Sequence, residues 1–411
     1  MPISIPSASA RGLWTWWPSM GKLLEYPVAP ELRDFQAEVR AFIGEHLDEA
    51  TRKERTSGEV GTGLGPLGRR FLKKMGDKGW MGLTWPKEYG GLGKSFMHRF
   101  ILSEEMDYAD APSPGFGASV VGPCIMLFGT EWQKKEFLPK IAKGEIFFGL
   151  GYTEPEAGSD LASLKLAAKE DGDDYVLNGQ KIFNSETHVV DYVWLAARTD
   201  FQAPKHKGVS LFMVDAKSPG ITAQGIYTLS GERTNIVFYD NVRVSKRHLL
   251  GEPNKGWYYL AAAIDLERFF PISKTLHRLE KMIALAHQPG PSGRRPADDP
   301  LLLHRLATLV IEAQAVRGLS FRTAWMQGKG VVPNIEASIL KLFLREYNQR
   351  VARLGVQMFG LYGQLRKESD LAPLDGELEK AYRGNPVGTI TGGTSEIQRN
   401  VIATRGLGLP R

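Results

Sequence analysis

The hydrophobic period of this chain changes twice, and that double change constrains the fold more than any single residue. Between residues 28 and 145 apolar positions recur mostly three and four apart, as in Leu32, Phe35, Val39, Phe42, Ile43 and Leu47. That spacing draws one apolar face along a helix. Phe71, Met75 and Trp80 continue it after a Gly-rich break from Gly61 to Gly68, and it resumes over Phe96–Tyr108, Ile125–Phe128 and Trp132–Ala142. The run from Trp85 to Gly93 holds one Pro and three Gly and reads as a loop. Near residue 146 the apolar runs shorten to strand length: 147–152, 164–168, 174–177, 192–198, 208–214 and 237–244. Turn signals separate them, among them Asp171-Gly172-Asp173, Asn178-Gly179, Pro219-Gly220 and Asp240-Asn241. So many short strands predict a compact antiparallel barrel or sandwich. From Gly256 the helical period returns, with long helices expected at about 301–328, 333–360 and 395–404 and an exposed loop from Gln288 to Pro300. The order helical, β, helical predicts a β unit clasped between two helical units. The expected division is an N-terminal arm at 1–27, a helical domain at 28–145, a β domain at 146–252 and a helical bundle at 253–411.

Composition narrows the function classes. The 411 residues are 42% apolar and 24% charged, an ordinary globular balance. A formal charge of +6 is spread along the chain, with no basic stripe carrying interleaved aromatics, which argues against nucleic acid. A mild positive balance suits an anionic, phosphate-bearing small substrate. The single Cys124 excludes an internal disulfide and points to a reduced, cytoplasmic setting. No apolar stretch reaches the length of a membrane span, and no metal site is expected. The first residues, with Trp14, Trp16 and Trp17 beside Pro18, read as a loose arm packing on the body or on a partner; a surface anchor is the other reading.

The segment Gly151-Tyr152-Thr153-Glu154-Pro155-Glu156-Ala157-Gly158-Ser159-Asp160 leaves a short apolar strand and enters a turn. Gly158 lets backbone approach a ligand closely, and Thr153 and Ser159 bring hydroxyl and N–H donors. The same pattern also suits a turn that only closes a hairpin. With Asn178-Gly179-Gln180-Lys181-Ile182-Phe183-Asn184-Ser185 and Gly392-Gly393-Thr394-Ser395-Glu396-Ile397-Gln398-Arg399-Asn400, it resembles the three characteristic stretches of the acyl-CoA dehydrogenase family, in the same chain order. The resemblance covers about residues 28 to 411. It implies an α+β multidomain fold: an N-terminal helical domain, a central antiparallel β domain and a C-terminal four-helix bundle. It also implies non-covalent FAD, an acyl-CoA substrate and an electron-transferring flavoprotein as acceptor. On this resemblance Leu150, Gly151, Tyr152, Thr153, Gly158 and Ser159 line the flavin and its phosphates. Phe183 packs on the flavin face beside Asn184, Ser185 lies near N5, and Thr394 and Glu396 reach the cofactor from the C-terminal domain. Taken without the resemblance, Phe183 reads as a core aromatic.

The reaction so implied needs a carboxylate that removes the α-proton while the β-hydrogen leaves as hydride to flavin N5. Many family members carry that base just before the Gly-Thr-Ser of the last motif, where this chain has Gly392. A second family arrangement places it on the first helix of the C-terminal domain. Here that helix reads Ala263-Ile264-Asp265-Leu266-Glu267-Arg268, and Leu260, Ile264, Glu267 and Pro271 share one face. An unpaired carboxylate on an apolar stripe is costly, and burial makes it a stronger base, so Glu267 is the expected base; a salt-bridged helix Glu is the plainer reading. Arg268 matches a residue beside the acyl-CoA site. The substrate-binding positions are expected to include Ser159, Arg268, Gly392 and Gly393, the last two offering backbone N–H to the thioester oxygen. A base on this helix is a feature of members handling branched, long or bulky acyl chains.

Two family elements depart from the pattern. Where an Arg-x-x-Phe-Gly is usual, this chain has Gly290-Pro291-Ser292-Gly293-Arg294-Arg295-Pro296. The later glycine-rich element appears as Gln357-Met358-Phe359-Gly360-Leu361-Tyr362-Gly363. Both serve a neighbouring subunit's flavin in the family. The expectation is therefore either a homo-tetramer in which Arg294 or Arg295 substitutes, or a hetero-oligomer with a related subunit. The other readings are a flavin monooxygenase on the same fold and a non-enzymatic partner subunit.

Overall fold

The computed structural model describes residues 29–60, 63–266, 270–290 and 293–410, without the side chains of 263–266. The N-terminal arm, Glu267 and Arg268 lie outside the described residues. Helices α1 (Pro30–His46), α2 (Glu49–Thr56), α3 (Pro66–Asp77), α4 (Phe96–Tyr108), α5 (Gly122–Phe128) and α6 (Glu131–Ala142) form the first unit. The predicted face of α1 is the buried one: Leu32, Phe35, Val39, Phe42 and Ile43 all point into the core. There Phe42 packs against Phe71 and Trp80. Local chemistry sets the helix ends. Asp48 accepts from the Thr51 amide at 2.8 Å, and Thr130 and Gln133 form a reciprocal capping box at the start of α6. Gln133, fully buried, also donates to the carbonyls of Arg247 and Leu249 at 2.7 Å each, tying α6 to the end of the β unit.

Seven strands follow: β1 (Phe148–Gly151), β2 (Ala167–Asp171), β3 (Asp174–Lys181), β4 (Tyr192–Arg198), β5 (Val209–Asp215), β6 (Ile221–Tyr227) and β7 (Arg233–Ser245). They make one sheet in the order β1-β4-β2-β3-β7-β6, with β5 on β4. The ladders β2–β3, β3–β7, β4–β5 and β6–β7 are antiparallel. β1 instead runs parallel to β4, with Phe148 opposite Tyr192 and Gly151 opposite Leu195. β6 has no counterpart among the predicted strands. Its residues Ile-Thr-Ala-Gln-Gly-Ile-Tyr are nowhere fully buried, so no strong alternation marks it; it is a strand because β7 offers it a full antiparallel ladder.

The last unit holds α7 (Gly256–Leu266), α8 (Ser273–Ala286), α9 (Pro300–Gly328), α10 (Asn334–Met358), α11 (Glu377–Gly384) and α12 (Ser395–Val401). α10 is its axis and packs on α8, α9, α11 and α12. α8 and α9 lean on α4, and α7 packs on α5 and β5, so the β unit is held between the helical units as the sequence order predicts. Among the described residues no helix is long and apolar enough to cross a membrane.

Candidate active site

One continuous cleft runs between the β unit and the C-terminal helices, with a volume of about 3450 Å³. That is several times a small-ligand pocket of roughly 300–1,000 Å³, so it can hold more than one elongated ligand. Residues of all three sequence motifs share it: Leu150, Tyr152, Thr153, Gly158 and Ser159; Phe183, Asn184 and Ser185; Gly392, Gly393 and Thr394. Gly151 lies behind this wall, where an added Cβ would stand 2.8 Å from the side chains of Leu195 and Val193. Glu396 sits exposed in the first turn of α12 and does not line the cleft.

The first wall is built by the strand β1 and a hairpin that turns back on itself, with Glu154 and Ala157 exchanging both backbone hydrogen bonds. Its rigidity comes from a buried charge pair absent from the sequence reading. Lys181 is completely buried and its Nζ lies 2.8 Å from Glu154 Oε1. The same ammonium donates to the Tyr152 carbonyl at 2.9 Å. Glu154 further accepts from the Lys165 and Leu166 amides at 2.6 and 2.9 Å. Burial pulls the Lys181 ammonium down to about 8, against the opposing pull of Glu154. Tyr152 is fixed at its other end, where its hydroxyl accepts from Trp194 Nε1 at 2.9 Å. No signal within 151–160 announces the pair, because its cation arrives from β3.

The second wall follows β3. Phe183 has φ of +60° and is 61% exposed. A left-handed backbone at a bulky residue costs roughly 1–2 kcal/mol, and an uncovered aromatic forgoes its burial. Such an outlier is held by its surroundings and points to a ligand that covers the ring. Here the surroundings are Asn235 on β7, also fully buried: its carbonyl accepts from the Asn184 amide at 3.1 Å and its Nδ2 donates to the Asn184 carbonyl at 2.7 Å. The Asn184 Nδ2 is buried and has no acceptor among the described residues.

The third wall is the turn before α12. Gly392 and Gly393 have φ of +62° and +89°. An added Cβ at Gly392 would lie 3.3 Å from Lys341 Nζ, and one at Gly393 would lie 2.7 Å from Gln398 Nε2. Thr394 caps α12 by accepting from the Ile397 amide at 3.2 Å.

The chain that leaves α7 is clamped by α4. Glu104 accepts from the Ile272 and Ser273 amides and from the Ser273 hydroxyl, and Asp107 accepts from the Lys274 amide at 2.7 Å. These two carboxyls, three apart on α4, supply the cap that α8 lacks from its own sequence. Burial raises Glu104 to about 8 and raises Asp107 as well. Leu260 and Pro271, predicted to share a face with Glu267, both line the cleft. Arg294, Arg295, Met358, Phe359, Leu361 and Tyr362 line the same cleft. Arg295 is paired with Asp298 at 2.7 Å, and Leu361 is 81% exposed.

Three motifs thus meet on one cleft, carried by a β unit between helical units. Residues 29–145, 149–242 and 254–407 match the N-terminal, middle and C-terminal domains of acyl-CoA dehydrogenase. The chain belongs to the acyl-CoA dehydrogenase family. It is 38% identical over 391 residues to acyl-CoA dehydrogenase FadE29 of Mycobacterium tuberculosis, covering 93% of this chain and 98% of that protein. Among solved structures, the Tcur3481-Tcur3483 steroid ACAD superposes with a TM-score of 0.86 at 36% identity, over 93% of this chain and 99% of that one. The ChsE4-ChsE5 complex from Mycobacterium tuberculosis gives 0.86 at 34% identity, over 94% and 100%.

Acyl-CoA dehydrogenases are FAD flavoproteins, and this acyl-CoA dehydrogenase takes FAD as its cofactor. Its own residues fit that group. An uncovered ring at Phe183 offers an aromatic face, and Gly158 leaves open space, with nothing within 4 Å of an added Cβ. The unsatisfied Asn184 amide and the Thr153, Ser159 and Ser185 hydroxyls bring polar partners to the same wall.

Proposed function

We propose that this acyl-CoA dehydrogenase desaturates the Cα–Cβ bond of a bulky, steroid-type acyl-CoA, with Glu267 as the base. The carrying observation is the third wall. The position that holds the base in many relatives is Gly392, and the space beside it faces the Lys341 ammonium instead. A carboxylate must therefore come from elsewhere, and Glu267, next in sequence after α7, is the one the family resemblance points to. FAD, when bound, accepts the β-hydrogen with its electron pair. Glu267 takes the α-proton, Arg268 orients ligand beside it, and the Gly392 and Gly393 amides donate to the thioester oxygen as negative charge gathers there. Leu150, Tyr152, Thr153, Gly158, Ser159, Phe183, Asn184, Ser185 and Thr394 hold the cofactor against the other face of the cleft. The similarity to a steroid ACAD and to FadE29 supports the substrate class.

The same relatives support assembly with a related subunit, since one solved neighbour is the ChsE4-ChsE5 complex. Exposed Leu301, Ile311 and Leu361 on the C-terminal unit suit such an interface. An electron-transferring flavoprotein as acceptor and a cytoplasmic location complete the reading. A panel of straight, branched and steroid-derived acyl-CoAs with an artificial electron acceptor tests the substrate; turnover of straight medium chains alone would overturn it. Glu267→Gln is expected to abolish turnover with FAD still bound, and unchanged activity rejects the assignment. Full FAD occupancy of the chain expressed alone would exclude the hetero-oligomer.

A further inference from the structure

The Lys341 side chain, on the buried face of α10, reaches three consecutive carbonyls. Its Nζ donates to Thr391 at 2.6 Å, to Gly392 at 2.5 Å and to Gly393. Successive carbonyls point to one side only where the backbone turns the same way twice. Gly392 and Gly393 do so in the left-handed region, at φ of +62° and +89°, where side chains are disfavoured. In a trans peptide the C=O and the next N–H point in opposite directions. Drawing the carbonyls of Thr391 and Gly392 to Lys341 therefore turns the Gly392 and Gly393 N–H groups away from it. Neither amide has an acceptor among the described residues, and both glycines line the cleft.

We propose that Lys341 is the positioning residue of the carbonyl-binding turn: it locks the Gly392 and Gly393 amides toward the thioester oxygen and places a fixed positive charge behind them. This rests on the reading of those amides as donors under Proposed function. As the α-proton passes to the base, its electron pair moves into the Cα–C bond and charge collects on the thioester oxygen. Donors set in advance stabilise that charge without reorganising, and a displacement of about 1 Å costs on the order of 100-fold. The two glycines bring no side chain of their own; Gln398 donates to the Gly393 carbonyl at 3.2 Å, and only the cation on α10 reaches all three carbonyls among the described residues.

The test uses the FAD-loaded oligomer and the 3-thia analogue of the best acyl-CoA in the panel above. With sulfur in place of the β-carbon, this thioester can lose its α-proton but has no β-hydrogen to give. It stops as an enolate, which absorbs at long wavelength against oxidised flavin. Lys341→Met is expected to raise the apparent pKa of that band by about two pH units, the equivalent of 100-fold. kcat falls about 100-fold while KM changes by less than a few-fold and FAD content is unchanged. In the ligand-free protein, hydrogen exchange over residues 388–396 speeds up. Lys341→Arg keeps the charge but replaces one nitrogen serving three oxygens with a planar fork, and shifts the band in the same direction by less. If Lys341→Met loses FAD, the Arg variant carries the test. An unmoved band pKa in a variant that retains FAD overturns the proposal. A wild-type enzyme that shows neither flavin reduction by acyl-CoA nor the band overturns the functional reading instead.

Discussion

Removing the Lys181 charge isolates the element that holds the hairpin after β1 on the cleft wall. In Lys181→Met the stem stays and the ammonium goes. Glu154, 7% exposed, keeps the Lys165 and Leu166 amides at 2.6 and 2.9 Å but loses its counter-ion at 2.8 Å. The Tyr152 carbonyl loses its donor at 2.9 Å. Breaking a buried pair by removing one partner costs about 3–5 kcal/mol, because the other charge stays buried uncompensated. Glu154→Gln leaves the Lys181 ammonium buried without a counter-ion, with only neutral carbonyls, Tyr152 among them, to accept from it. The double variant Glu154→Gln/Lys181→Met removes both charges and is expected to be less destabilised than the sum of the singles by about 2 kcal/mol or more. Urea unfolding of all four proteins measures the cycle, and retained FAD measures the wall. If Lys181→Met costs less than about 1 kcal/mol and the singles add, the pair is solvated and the reasoning fails.

Two further outcomes follow from strain and burial. Phe183→Gly relieves a left-handed backbone at a ring that is 61% exposed, so apoprotein stability is expected to stay within about 1 kcal/mol of wild type while FAD affinity falls; lost stability with unchanged FAD affinity would make the ring a packing residue. Glu104 is raised by burial from 4.5 to about 8, so the folded state holds a proton that the unfolded state releases across that window. Stability is therefore full below it and declines as pH rises through it, by at most about 1.4 kcal/mol per pH unit. A pH series of urea unfolding should show the decline in the wild type and flatten it in Glu104→Gln.

Much of the architecture was legible because it depends on local periods. The α1 face and the helix–β–helix order follow from apolar side chains three, four or two residues apart. Long-range partners were not legible. β1 takes a parallel place beside β4, although the short strands and tight turns suggested antiparallel neighbours throughout. β6 was invisible for want of buried positions, and the cap of α8 comes from α4, 169 positions back from Ser273 to Glu104.

The sequence alone determined which family this chain belongs to: the three motifs and the glycine at 392 are written in single residues. The tertiary structure decided how those residues are held. Lys181 meets Glu154, Asn235 fastens the strained Phe183 turn, and Lys341 gathers the carbonyls before Thr394. Each of these ties joins residues from different elements. A hydrogen bond or ion pair acts only within a few ångströms, and the folded backbone alone sets which distant groups come that close.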